Sequence, residues 1–214
     1  MQKVVYFSDI TQIITGVVAG FTLSNALMHA FPKPIHLAHQ FVRNVVKTGD
    51  IAVDATLGNG HDALFLSKLV GEKGMVYGFD VQEVALQSSE ERMEACGVEA
   101  FEFFLAGHER MADFVKAEVA VVMFNLGYLP RADKAVITTE QTTLPAVEAA
   151  LALLKTGGLL TIMCYPGHEG GDVESAAVVK WCGALAREDY RVAQFGLLNA
   201  PNNPPFLVVV EKSC

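Results

Sequence analysis

From Pro34 onward the chain alternates short apolar runs with segments of helical period, and this alternation limits what its 214 residues can fold into more than any other feature. Residues 51–55 read as a short buried strand, followed by a glycine-rich turn and a helix over about 61–70. Residues 75–79 form a second strand running out at Asp80, and a helix over 83–95 is stopped by Gly97. Strands follow at 101–105 and 119–124, then a helix over 143–154 ending at Gly157 and Gly158, a strand over 159–164, and a helix over 172–187. Two last strands, 190–198 and 206–211, flank a Pro/Asn loop too short for a crossover, so they can only pair antiparallel. The pattern predicts an α/β fold: a doubly wound, mostly parallel seven-stranded sheet ending in an antiparallel hairpin.

With 51% hydrophobic residues the chain can bury a full core without staples, and it is no disordered tail. Its 16 Lys+Arg against 24 Asp+Glu leave a net charge of -8, which excludes nucleic-acid binding by bulk charge; any such substrate must be met by a local patch. The cysteines Cys96, Cys164, Cys182 and Cys214 lie far apart with no metal-ligand spacing, so reduced thiols in a cytoplasmic protein and no metal site are expected. Residues 10–31 carry no Asp, Glu, Lys or Arg, but polar residues and glycines interrupt the run. An N-terminal helix or extension over 1–32 ahead of a single domain over 33–214 is expected, rather than a membrane anchor.

In a doubly wound sheet the ligand crevice lies beyond the carboxyl ends of the strands, where strand order reverses. The unusual chemistry of this sequence falls in those strand-end loops. Gly58 and Gly60 permit a tight turn and close backbone approach before a helix N-terminus. Asp80, 22 residues after Gly58, is placed to accept hydrogen bonds from a ribose. Gly58-x-Gly60-x-x-Ala63 also fits a dinucleotide fingerprint, so a nicotinamide enzyme competes. Asp54 opposes that reading: just before the turn it would repel a pyrophosphate, whereas it suits the ammonium and sulfonium of S-adenosylmethionine. Asn125, at the end of a buried strand, can accept a hydrogen bond from an attacking amine, and Tyr128 can stack on a base.

On these residues the chain resembles class I S-adenosylmethionine-dependent methyltransferases. Among them it is similar to the rRNA-methylase-labelled family associated with bacterial tRNA 5-(aminomethyl)-2-thiouridine methyltransferases. The likeness spans about 34–212 and rests on Val53-Asp-Ala-Thr56 with Gly58-Asn-Gly-His-Asp62, Phe79-Asp-Val-Gln82, His108-Glu109, Asn125-Leu-Gly-Tyr-Leu-Pro130 with Asp133 and Lys134, Gly167-His-Glu-Gly-Gly171, and Asn203-Pro-Pro-Phe206.

The resemblance implies a Rossmann-like methyltransferase fold and N-methylation of the aminomethyl group on a wobble uridine in the tRNA anticodon. It assigns Gly58, Asn59, Gly60 and Asp62 to the methionine side of the donor, Asp80 to the ribose, and Gln82 and His108 to the adenosine, with Asp54 and Thr56 as further donor-binding candidates. Asn125, Tyr128 and His168 fall on the catalytic side, and Arg131, Lys134 and Glu169 on the substrate side. Lys33, Arg43 and Lys47 form a further basic cluster. Two departures stand out. Thr56 replaces the glycine of the general class, though not of this family, and Pro166 stands where the family has a histidine. Another RNA or a small amine stays open as substrate, as does a homodimer contact through the last strands or the N-terminal segment.

Overall fold

A computed structural model describes residues 31–127 and 137–213. Lys33–Cys214 forms one compact unit, and the N-terminal apolar segment lies almost wholly outside the described residues. The order is α1 (Pro34–Val45), β1 (Ile51–Asp54), α2 (His61–Val70), β2 (Met75–Asp80), α3 (Glu83–Ala95), β3 (Phe101–Leu105), a 3-10 turn (His108–Arg110), α4 (Met111–Phe114), β4 (Val119–Asn125), α5 (Glu140–Leu153), β5 (Leu154–Cys164), α6 (Gly171–Gly183), β6 (Tyr190–Phe195) and β7 (Phe206–Lys212). Among the described residues no helix is long and apolar enough to cross a membrane.

The sheet runs β3-β2-β1-β4-β5-β7-β6. Its first five strands are parallel, while β7 pairs antiparallel with both β5 and β6. The expected doubly wound architecture is therefore present, with the last strand inserted inside the edge. Strand order reverses between β1 and β4, which opens a crevice at the carboxyl ends of those two strands.

Burial on both faces explains the continuous apolar run of β4. Val122 and Phe124 face the cluster that includes Phe79, Ile162 and α5, while Val121 and Met123 face the cluster built on α1 and α2. Ala120 and Val121 share a face because the register to β5 shifts between Val119 and Val121.

Several element limits differ from the sequence reading. Helix α1 was not anticipated; Pro34 opens it at its first turn, and Ala38 and Val42, one turn apart, bury its inner stripe. The 3-10 turn and α4 are too short to show a period. Helix α6 stops at Gly183 rather than 187, and β6 ends at Phe195 because its pairing with β7 ends there. Helix α5 starts at Glu140, not 143, and ends at Leu153. Leu154 is already extended and pairs with Val119, so Gly157 and Gly158 lie within β5 instead of capping the helix.

The early start of α5 leaves Pro145 inside the helix and exposed, where its ring crowds the carbonyl of Gln141 and supplies no amide. Pro145→Ala removes a penalty of up to about 3 kcal/mol, offset by roughly 1 kcal/mol of added freedom in the unfolded chain. The urea midpoint is expected to rise; a lower midpoint would show that α5 needs the proline.

Candidate functional site

A cavity of about 850 Å³ occupies the crevice. Its floor is the turn between β1 and α2. Gly58 (φ +52) and Gly60 (φ +71) are both left-handed, and a Cβ on Gly60 would stand 2.8 Å from Ser89 Oγ, so both shape and conformation demand glycine there. Side chains of α3 hold the turn: Ser89 Oγ donates to the Gly58 carbonyl at 3.1 Å and Arg92 Nε to the Asn59 carbonyl at 2.6 Å.

Three acids converge on this turn. Asp80 accepts from the amides of Gly58 (3.0 Å) and Gln82 (2.9 Å), so the glycine turn and the start of α3 share one carboxylate. Burial raises its pKa above the ordinary carboxylate value, against those same amides. Asp54 is 1% exposed; Oδ1 accepts from the Thr56 amide at 3.2 Å and Oδ2 has no hydrogen-bond partner. Its pKa is pushed well up, first by burial and then by the charge of Asp62. Asp62, in the first turn of α2, has both oxygens engaged: His39 Nε2 lies 2.7 Å from Oδ1, and Asn125 Nδ2 donates to Oδ2.

Thr56 adds a rung to the sheet, its Oγ1 accepting from the Asn125 amide at 2.6 Å. This fixes the end of β4, and Gly127 beyond it is closed onto Thr138: Gly127 N donates to Thr138 Oγ1 (2.7 Å) and Thr138 N to the Gly127 carbonyl (2.9 Å). Thr138 and Thr143 both donate to Glu174, a glutamate only 1% exposed whose pKa burial raises. His108 is buried edge-on to Phe124 with ring centroids 5.5 Å apart, and burial lowers its pKa, favouring the neutral ring.

Of the anticipated residues, Asp54, Thr56, Gly58, Asn59, Asp62, Asp80, Gln82, His108, Asn125 and His168 line the one cavity. Gly60 shapes it from behind. Glu169 is exposed and does not line it; its carbonyl instead meets His168 Nδ1 at 2.9 Å, and the α6 N-cap is Gly170 without any side-chain cap. Tyr128, Arg131 and Lys134 lie outside the described residues. Sequence reasoning missed His39, Ser89, Arg92, Thr138 and Glu174, which act across separations of 23 to 36 residues where no local pattern exists.

A sheet reversing at β1 and β4, an antiparallel β5-β7-β6 end, and a glycine turn tied to the acid that ends β2 define a Rossmann-like methyltransferase. The family model described as "Putative rRNA methylase" matches residues 76–211, and the chain belongs to that family. It is 36% identical over 191 residues to the chloroplastic tRNA (mnm(5)s(2)U34)-methyltransferase of Arabidopsis thaliana, covering 84% of this chain and 70% of that protein. A Clostridium thermocellum crystal structure carrying the same family description is 35% identical with a TM-score of 0.84, over 86% of this chain and all of that one (100%). A Streptococcus mutans candidate methyltransferase, solved in complex with SAH, is 41% identical with a TM-score of 0.79, over 85% and 99%. The protein is thus an S-adenosylmethionine-dependent methyltransferase, and the nicotinamide reading gives way.

Asp54 yields a prediction of sign. Its folded pKa lies above the unfolded value, so the folded chain holds a proton the unfolded chain has lost, and stability falls as pH rises through that window. Asp54→Asn is expected to raise the melting temperature of the ligand-free protein at neutral pH, by about 2–4 °C per kcal/mol recovered. The gain should vanish below about pH 3, where both states are protonated. Thermal unfolding at the two pH values checks this, and destabilisation at neutral pH would show that the ionised form is the one the fold prefers.

Proposed function

We propose that the chain methylates the aminomethyl nitrogen of a wobble 5-aminomethyl-2-thiouridine in the tRNA anticodon. The observation that carries the reading is Asn125: its amide nitrogen is committed to Asp62, so its carbonyl oxygen remains to accept a hydrogen bond from an attacking amine at the cavity wall. The activity for which the Arabidopsis relative is named supports the same substrate.

The cavity fits the donor. Asp54 Oδ2 is a buried acceptor without a partner, suited to a cationic group, and the left-handed glycines leave the floor open. We assign Asp54, Thr56, Gly58, Asn59, Gly60 and the amides of α2 to the methionine part, Asp80 to the ribose, and Gln82 with neutral His108 to the adenosine. When bound, S-adenosylmethionine supplies an electrophilic methyl group. The residues of the chain do the rest by alignment, which suits a displacement that develops no oxyanion. Asn125 orients the amine through one N–H, Tyr128 stacks on the base, and the second amine proton leaves to water or to His168. Arg131, Lys134 and Glu169 provide polar contacts to the RNA. A reducing, cytoplasmic setting is in keeping with Cys96, Cys164 and Cys182 being free thiols, the last two pushed up to about 12 by burial.

The test is methyl transfer from labelled donor to total RNA of a strain lacking this gene, followed by separation of tRNA from rRNA and nucleoside analysis. Labelled 5-methylaminomethyl-2-thiouridine is expected; label in rRNA alone would overturn the substrate. In the same assay Asn125→Ala should lower kcat about 10²-fold while SAH affinity changes less than about 2-fold. Arg131→Glu with Lys134→Glu should weaken tRNA binding and leave SAH binding intact, and equal loss of both would remove those residues from the RNA side.

A further inference from the structure

The role given to Asn125 depends on which end of its carboxamide faces the cavity. The two ends are nearly the same size, and rotation about the terminal torsion is soft. Turned around, the group would offer N–H donors to the amine lone pair and oppose attack. Asp62 prevents this, because a carboxylate only accepts and therefore takes the amide nitrogen. What holds Asp62 comes from α1, outside the residues matched by the family model. His39 Nε2 lies 2.7 Å from Asp62 Oδ1, on side chains 21% and 9% exposed, and must be the donor there. The imidazole is itself fixed by a parallel stack on Phe65, with centroids 4.0 Å apart and planes 16° from coplanar. Phe65 carries the Arg43 guanidinium at 4.9 Å from its ring centroid. Without His39, one Asp62 oxygen is an unsatisfied buried acceptor, and the carboxylate is free to turn away from Asn125.

We propose that His39 is a positioning residue for methyl transfer: through Asp62 it holds Asn125 with the carbonyl oxygen presented to the substrate amine. Its part in methyl transfer rests on the function proposed above; the hydrogen-bond chain stands on geometry alone. The chain His39–Asp62–Asn125 spans α1, α2 and β4, so the placement of one acceptor is shared by three elements.

Two variants separate the hydrogen bond from the packing. His39→Phe keeps a ring on Phe65 and removes the donor; His39→Gln keeps an N–H donor and removes the ring. With labelled donor and tRNA of the gene-deficient strain, His39→Phe is expected to lower kcat about 10- to 100-fold with SAH affinity within about 2-fold of wild type, and His39→Gln to recover most of the loss. The reverse ranking, or equal loss in both, overturns the proposal. A second measurement needs no substrate: the Asn125 side-chain amide signal in a ¹⁵N spectrum, identified by its disappearance in Asn125→Asp. It should shift and exchange faster in His39→Phe but not in His39→Gln, and an unchanged signal in His39→Phe overturns the proposal. If the amide responds while wild type methylates no tRNA, the chain of hydrogen bonds is upheld and the substrate reading alone falls.

Discussion

The site is organised by backbone amides and amide-like donors converging on buried carboxylates. Asp54, Asp62 and Asp80 sit close enough that Asp62 and Asp80 both oppose the ionisation of Asp54. Left unsolvated, such a trio would open the crevice. The Thr56 amide, the nearby Ala63 amide and the pair from Gly58 and Gln82 replace water around two of the acids, while His39 and Asn125 replace it around the third. The bonds of Gly58 to Asp80 and of His39 and Asn125 to Asp62 join separate segments, so the glycine turn, the start of α3 and the end of β4 cannot move separately. Asp54 retains one oxygen with no partner. That deficit is the site's ligand preference in physical form, since a cation entering there supplies what the fold withholds.

The opposite wall is built by another logic. Gly127 and Thr138 are joined by two hydrogen bonds, and Thr138 passes the link to Glu174 on α6, which Thr143 on α5 also holds. A glutamate buried this deeply is tolerated because two hydroxyl donors meet its oxygens. The donor-side floor and the reaction-side wall thus meet at β4, whose last residue is bonded to Thr56 on one side and leads into Gly127 on the other. β4 can serve both because it is buried on both faces and carries no conformational slack.

How much of this was legible in the sequence depends on the range over which each signal acts. The strands and the helices α2 and α3 follow from local period and glycine stops, and the site loops follow from topology once the strands are placed. Helix α1 does carry a helical stripe, with Ile35, Phe41 and Val45 packed beside the buried Ala38 and Val42, but it precedes the first strand and so falls outside the strand–helix alternation on which the sequence reading rests. The start of α5 lies three residues before the expected 143, and the helix carries Pro145 in its interior, a position that local sequence rules disfavour. At the site, Asp62 was legible as a conspicuous residue but not as one already engaged, since its partners are 23 and 63 positions away. Glu174 gave no signal, because a buried glutamate in a helix looks like any surface glutamate until its threonine partners are known.

Long-range commitments of the same kind bear on the acidic balance of the chain. Several of its cations already serve the fold: Arg92 supports the glycine turn, Lys155 pairs with Asp50, Arg191 with Glu211, and Lys212 caps the carbonyls of Leu151 and Leu154. Positive charge available to phosphates is therefore scarcer than the composition suggests. An enzyme so constrained gains little from tracking an RNA backbone, whose neutralisation requires a cation per phosphate. It gains more from a base that is already unpaired, taken into a crevice and held by stacking and by one oriented carbonyl. On the proposed reading, the anticodon loop offers such a base, and the acids that repel phosphate are the same groups that favour a cationic donor.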